Sequence, residues 1–229
     1  MSFSIAIDGP SGVGKSTIAK MLASDLKFVY IDTGAMFRGL AVYFLEKGLD
    51  IEDEASICAA VDGVKETIGY EGGEQHVYVN DTDVTAKLRT EDVSKAASVT
   101  SQYQPVRAKL LELQREMAKV QDVIMDGRDI GTVVLPGAQL KVYMVARPEV
   151  QAQRRYDQLA AAGKLGDATY ETILADIRER DYRDSHRAVA PLKKADDAEE
   201  LDTSDLSLQE VFDAVKAMYM KAAGENADA

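Results

Sequence analysis

Ile5-Ala6-Ile7-Asp8-Gly9-Pro10-Ser11-Gly12-Val13-Gly14-Lys15-Ser16-Thr17 is the stretch on which the fold turns. Its first four residues are a short, mostly apolar run, the composition of a strand buried on both faces of a parallel sheet. Its end leads into a segment where Ile18, Met21, Leu22 and Leu26 recur at helical spacing. Between strand and helix lies glycine, four residues, then Gly14-Lys15-Ser16, the P-loop pattern in the setting it requires. Glycines let successive backbone N–H groups point inward around a phosphate, and the helix N-terminus adds its dipole. Lys15 is expected to bridge the β- and γ-phosphates of a nucleoside triphosphate, and the Ser16 hydroxyl to help hold Mg²⁺. The other reading, a glycine-rich turn with an exposed lysine, leaves the flanking strand and helix unexplained.

Working outward, Phe28 to Ile31 reads as a second buried strand ending at Asp32-Thr33-Gly34, so strand, helix and strand predict a right-handed βαβ unit. Pro105 opens a helix carrying Val106, Leu110, Leu113 and Met117, and Val123–Met125 and Val142–Val145 read as further buried strands. The sheet is expected to be parallel with helical crossovers. Pro148 begins a helix that should stop near Gly163, and Thr169 can cap another bearing Ile173, Leu174 and Ile177. Ser207 and Glu210 form a capping box for a closing helix with Leu208, Val211, Phe212, Val215 and Tyr219 on its apolar face. Val64 to Val84 breaks this rhythm: β-rich runs around Gly72-Gly73 and Asn80-Asp81 predict small antiparallel hairpins, read as an insert. Glu199-Glu200 interrupts the apolar run before Leu201-Asp202-Thr203, so the last core strand should be short or at an edge.

The chain has 229 residues, 46% hydrophobic and 29% charged, as expected of one compact α/β domain. No window approaches the ~18 consecutive apolar residues of a membrane span, and the N-terminus lacks the basic flank and cleavage site of a secretory signal. A cytoplasmic protein is expected. Cys58 stands alone, and with only His76 and His186 a Cys/His zinc site is short of ligands, so any metal should be Mg²⁺ held by oxygens. A formal net charge of −12 argues against nonspecific binding to nucleic acid or an anionic membrane. Seven of the twelve arginines nevertheless fall between Arg147 and Arg187, as suits a compact polyanion; a salt-bridged helix face is the competing reading.

The same P-loop cradle serves kinases, ATPases and nucleotide-dependent switches. A guanine-reading Asn-Lys-x-Asp motif is missing, since the only asparagines are Asn80 and Asn226. Two further segments follow strands: Asp32-Thr33-Gly34-Ala35-Met36-Phe37-Arg38, and Asp126-Gly127-Arg128-Asp129-Ile130-Gly131. Carboxyl ends of parallel strands are where α/β sheets bind ligands, so these segments point to a second anion site beside the P-loop.

The blocks Ile5–Thr17, Ile31–Arg38, Asp126–Val134 and Arg180–Leu192 together resemble the signature blocks of bacterial cytidylate kinases, in that family's order and over nearly the whole chain. The resemblance implies ATP- and Mg²⁺-dependent phosphorylation of CMP and dCMP by a three-layer α/β P-loop fold: a parallel sheet flanked by helices, a small β-rich insert and a helical lid. It implies one nucleoside monophosphate kinase unit over residues 1–229, with the P-loop at 9–17, an acceptor-binding region at about 35–105 including the insert at about 64–84, and a lid at about 150–170. It implies small-molecule partners only, and a monomer.

Residue by residue, the resemblance places ATP on Gly9, Pro10, Ser11, Gly12, Val13, Gly14, Lys15, Ser16 and Thr17, with Arg154 from the lid, and Mg²⁺ on Ser16. Thr33 and Arg38 would reach the CMP phosphate or its surroundings. Ser98, Arg107 and Asp129 would line the cytosine pocket, a helix-surface serine being the other reading of Ser98. Arg128 and Arg180 would serve the phosphates, Asp184 the ribose, and Arg187 both acceptor and transferred group; with Lys15, these three arginines would be catalytic. For Arg154 and Arg155, adjacent on a helix, one of the pair is expected on a solvated face. Phe37 stands where the family commonly has tyrosine, so a phenolic role is lost and ring packing remains. The alternatives are another P-loop kinase of the UMP/AMP type, or a switch protein.

Overall fold

β1 (Ser4–Asp8) lies at the centre of a five-stranded sheet and is buried along its whole length. It pairs in parallel with β6 (Val123–Gly127), Ile5 opposite Ile124 and Ile7 opposite Asp126, and on its other side with β7 (Leu140–Val145), Ile7 opposite Val142. β7 pairs in parallel with β8 (Glu199–Asp202), and β2 (Val29–Asp32) completes the order β2-β6-β1-β7-β8. Ile5, Ala6 and Ile7 are wholly buried because parallel strands are covered on both faces, and burying each isoleucine is worth about 1.5–3 kcal/mol. The first strand–helix–strand unit does not join neighbours, since β6 lies between β1 and β2. β8 is a four-residue edge strand, as the Glu199-Glu200 interruption predicts.

The computed structural model describes residues 2–227, with side chains through 224. The chain divides into two units, Met1–Val29 with Asp122–Ala229, and Tyr30–Gln121, the division falling inside β2. In the first unit, helix α1 (Lys15–Leu26) packs on β1 and β6, and α8 (Leu208–Ala227) on β7 and α1. Phe3, Phe28 and Tyr219 form an aromatic cluster with centroids 5.3–6.1 Å apart. The expected capping box at α8 is present: Glu210 Oε2 accepts from Ser207 N at 2.8 Å, and Ser207 Oγ from Glu210 N at 3.3 Å. Helix α6 (Pro148–Ala161) starts at its proline, and α7 (Tyr170–His186) at a reciprocal Thr169–Thr172 box. These two helices pack on each other through Ala152, Ile173 and Ile177.

In the second unit, α2 (Thr33–Glu46) follows β2 without a loop, because Asp32 ends the strand and caps the helix, accepting from Ala35 N at 2.7 Å. The sequence reads Asp32-Thr33-Gly34 as a strand end, and the side-chain cap makes the same residues a helix start. Met36, Leu40, Ala41 and Phe44 bury the inner face of α2. The insert is the antiparallel sheet β3 (Glu66–Glu71), β4 (Glu74–Val79) and β5 (Thr82–Asp83). Both its turns use positive φ, at Gly72 (59°) and Gly73 (84°) and at Asn80 (48°) and Asp81 (64°), as two-residue hairpins demand. Helices α3 (Glu54–Val61), α4 (Glu91–Thr100) and α5 (Gln104–Val120) complete the unit, α4 against α2 and α3 against α5. Among the described residues no helix is long and apolar enough to cross a membrane.

Candidate functional site

β1 delivers the chain to Gly9, whose φ of 147° and tight approach to the Met144 carbonyl exclude any side chain. The loop ends at Gly14, which caps α1 with a left-handed φ of 94°; no side chain caps this helix and no acidic residue stands in its first turn. Its N-terminal N–H groups and positive dipole end therefore face the loop, the arrangement that receives phosphate. Lys15 is 6% exposed, and its Nζ donates to Pro10 O at 2.5 Å. Burial, reinforced by the Arg128 charge, pushes its ammonium down to about 7. Ser16 Oγ donates to Asp126 Oδ2 at 2.6 Å.

Arg128 binds the loop to α7. Its Nε donates to Asp184 Oδ2 at 2.8 Å and its Nη2 to Ser11 Oγ at 2.8 Å, while Ser11 N donates to Asp181 Oδ1 at 3.1 Å. Burial would raise the Asp184 carboxyl, but Arg128, Arg180 and Arg187 together hold it below the usual carboxylate range. Burial raises Asp181. Arg187 Nη2 lies 3.4 Å from Asp129 Oδ1, both side chains buried, and its Nε donates to Ala190 O at 2.7 Å. Thus Lys15, Arg128, Asp129, Arg180, Asp184 and Arg187 belong to one unit and to a connected charge network.

Arg154 donates from Nη1 to Thr203 Oγ1 at 3.0 Å and from Nη2 to the Thr203 carbonyl at 2.5 Å; Thr203 Oγ1 in turn lies 3.2 Å from Val13 O of the P-loop. Arg155 points the other way, to Gln158 Oε1 on the exposed face, as two adjacent helix positions must. His186 stacks on exposed Tyr182 with centroids 4.0 Å apart.

In the second unit, Arg38 Nη2 reaches Asp32 Oδ2 at 3.1 Å, while its Nε is buried with no hydrogen-bond partner. Gly34 leaves room for this pair, since a Cβ there would meet Arg38 Nη1 at 3.0 Å. Thr33 is buried at the first turn of α2. Arg107 lies with its guanidinium 5.3 Å from the Phe37 ring centroid and donates from Nη1 to Ser101 O at 3.1 Å. The ring packing expected of Phe37 is therefore a cation–π contact. Ser98, 7% exposed on α4, is not a helix-surface serine.

Several residues escape the sequence reading. Gln75 of the insert takes both backbone groups of Asp32, accepting from its N–H at 2.8 Å and donating to its carbonyl at 3.2 Å. Glu66 is buried with neither carboxylate oxygen hydrogen-bonded, and burial raises it well above its ordinary value. Asp8, at the end of β1, accepts from two backbone N–H groups and is raised to about 6 by burial. An acidic residue inside an apolar strand pattern is the only signal of Glu66 and Asp8; nothing local marks Gln75.

No group of three or more His, Cys, Asp or Glu able to hold a metal occurs among the described residues. The Ser16 hydroxyl and Asp126 carboxylate do offer two hard oxygens in contact, a donor set that fits Mg²⁺ shared with phosphate oxygens.

A parallel α/β sheet that ends its central strand in this loop is a P-loop fold, and a gluconokinase from Sinorhizobium meliloti 1021 shares that fold, with a TM-score of 0.51 at 14% identity over 99% of this chain and 97% of that one. The particular family comes from sequence. A profile described as cytidylate kinase matches residues 5–221. A cytidylate kinase from Lactobacillus johnsonii is 45% identical over 217 residues, 95% of this chain and 94% of that protein, and one from Bacillus licheniformis is 43% identical over 221 residues, 96% of each. The chain belongs to the cytidylate kinase family.

Proposed function

We propose that the chain transfers the γ-phosphoryl group of ATP to CMP and dCMP, as a monomer in the cytoplasm. The observation that carries this reading is the arginine network tied to the P-loop itself, with Arg128 on Ser11 and Asp184, and Arg187 on Asp129, in a chain of net charge −12. Such a concentration of guanidinium groups suits two polyanions whose repulsion must be offset.

In the reaction an oxygen of the acceptor phosphate forms a bond to the γ-phosphorus while the bond to the β–γ bridging oxygen breaks, releasing ADP. The acceptor is already an anionic nucleophile near neutral pH, so positioning and charge neutralisation do the work. Loop residues Gly9 to Thr17 cradle the donor phosphates, with Lys15 on the transferred group and Arg154 on ATP. Ser16 and Asp126 would hold Mg²⁺, which supplies further neutralisation of phosphate charge. Arg128, Arg180 and Arg187 serve the phosphates and Asp184 the ribose. For the acceptor, the unpartnered buried Nε of Arg38 supports a phosphate contact, with Thr33 at the start of the same helix. Ser98, Arg107 and Asp129 read the cytosine, and the burial of Ser98 supports a place in a pocket.

The test is ADP release with ATP and Mg²⁺ across CMP, dCMP, UMP, AMP and GMP. Rapid turnover of CMP and dCMP, slow turnover of UMP and little of the purines is expected. AMP or GMP turnover without CMP turnover rejects the reading, and failure of any acceptor to give multiple turnover points to a switch.

A further inference from the structure

Asp8 ends β1, and the next residue, Gly9, opens the P-loop. Its side chain bonds to a segment more than a hundred residues further along the chain. Oδ1 accepts from Ile130 N at 2.8 Å and Oδ2 from Gly131 N at 2.7 Å, at a site where Asp8 is 5% exposed. Ile130–Val134 is a single wide turn of the π type: Val133 N and Val134 N donate back to Asp129 O at 2.9 and 3.2 Å, and Leu135 N to Ile130 O at 2.7 Å. The first N–H groups of such a turn have no partner within it, and Asp8 takes two of them with one oxygen each. Behind the turn, the Lys141 stem packs on Gly131, where a Cβ would meet Lys141 Cδ at 3.1 Å and Asp8 Oδ2 at 3.4 Å. Lys141 is itself held by Asp197 at 2.7 Å and Pro136 O at 2.6 Å. The backbone immediately after Asp129 is thus clamped between two buried charged side chains.

We propose that Asp8 is a positioning residue for base selection: by holding Ile130 and Gly131 it sets where Asp129 presents its carboxylate, and it ties that placement to the start of the donor loop. The proposal rests on the reading that Asp129 contacts the acceptor base. Asp8 touches neither substrate in this role and acts only through Asp129.

Asp8→Asn tests it at constant shape. An asparagine has one side-chain acceptor, so one of the two N–H groups must face an amide donor. The expected result is a rise of about tenfold in KM for CMP and a fall in the CMP-to-UMP ratio of kcat/KM towards that of Asp129→Ala, with KM for ATP changed less than about twofold. In the double variant Asp8→Asn/Asp129→Ala, no further loss of the ratio is expected, because both changes act through one carboxylate. Gly131→Ala, which crowds the same turn and leaves Asp8 in place, should lower the ratio too, and it decides the matter if Asp8→Asn does not fold. An unchanged CMP-to-UMP ratio in the folded variants, multiplicative losses in the double variant, or an equal rise in KM for ATP and CMP overturns the positioning role. Failure of the wild-type protein to phosphorylate CMP is a separate outcome: it removes the functional reading on which the role depends.

Discussion

The Arg128 guanidinium joins Asp184 of α7 to Ser11 of the P-loop, 2.8 Å from each, so a single partly buried side chain spans the helix and the loop. The Arg128–Asp184 pair is largely shielded from water, with side-chain exposures of 18% and 7%. Removing one partner of such a pair strands the other charge.

Asp184→Ala is therefore expected to destabilise the protein by about 3–5 kcal/mol and to lower activity at permissive temperature, as read by thermal melting and by turnover. The wild-type carboxyl is held below its ordinary value by the surrounding arginines, so the stability it contributes is complete above about pH 4 and lost as pH falls through its folded-state value. A variant that melts like wild type at neutral pH contradicts the account of the pair.

Lys15→Met should reduce kcat by roughly 10²–10³ while the protein folds, since the ammonium contributes charge to the reacting phosphate and not to the apolar core. In the unliganded wild-type protein Lys15 is pushed down to about 7, from an ordinary 10.5. The unfolded chain keeps that proton to higher pH, so Lys15 makes folding stability rise between about pH 7 and 10.5, and Lys15→Met should flatten that increment. Denaturant titrations at pH 7 and 9 measure it, and identical increments in both proteins would count against the burial of a strained lysine.

Glu66 faces the opposite test. Its Oε2 sits against Gly39 of α2, where a Cβ would meet it at 2.7 Å, and no hydrogen bond satisfies either oxygen. Burial raises its carboxyl, so the native protein keeps the proton longer than the unfolded chain does. Its contribution to stability is full below about pH 4.5 and declines as pH rises towards the folded-state value. Glu66→Met should raise the melting temperature more at pH 8 than at pH 5, with about 1–3 kcal/mol gained at the higher pH. Equal shifts at both pH values would sink the idea of a buried, unpaired acid.

Asp129→Ala should lower kcat/KM for CMP by roughly 10- to 100-fold and for UMP by less, because a carboxylate accepts from the cytosine amino group and repels the uracil carbonyl. The Arg187 contact at 3.4 Å supplies the competing account, in which Asp129 only orders the loop. Equal losses for the two substrates would decide for that account.

The P-loop, its strand and its helix are legible in thirteen consecutive residues, because glycine spacing and apolar periodicity restrict backbone dihedrals over a few positions at a time. For the same reason the hairpin turns at Gly72-Gly73 and Asn80-Asp81, the caps at Thr169 and Ser207 and the edge position of β8 can be read directly. Helices α3 and α4 and the wide turn at Ile130–Val134 carry weaker local signals, and Asp32 as a cap reads like a strand end.

Partners brought from far along the chain belong to tertiary structure alone. That β6 separates β1 from β2, that Gln75 pins Asp32, that Arg107 covers Phe37 and that Asp8 holds Ile130 and Gly131 are consequences of packing between segments tens to more than a hundred residues apart. The local sequence determined which residue types could do chemistry here, since a phosphate loop and its arginines are short patterns with a direct electrostatic meaning. Only the folded chain decided which arginine meets which carboxylate and which acids lose their water, because both depend on burial, and burial is a property of neighbours that no local pattern encodes.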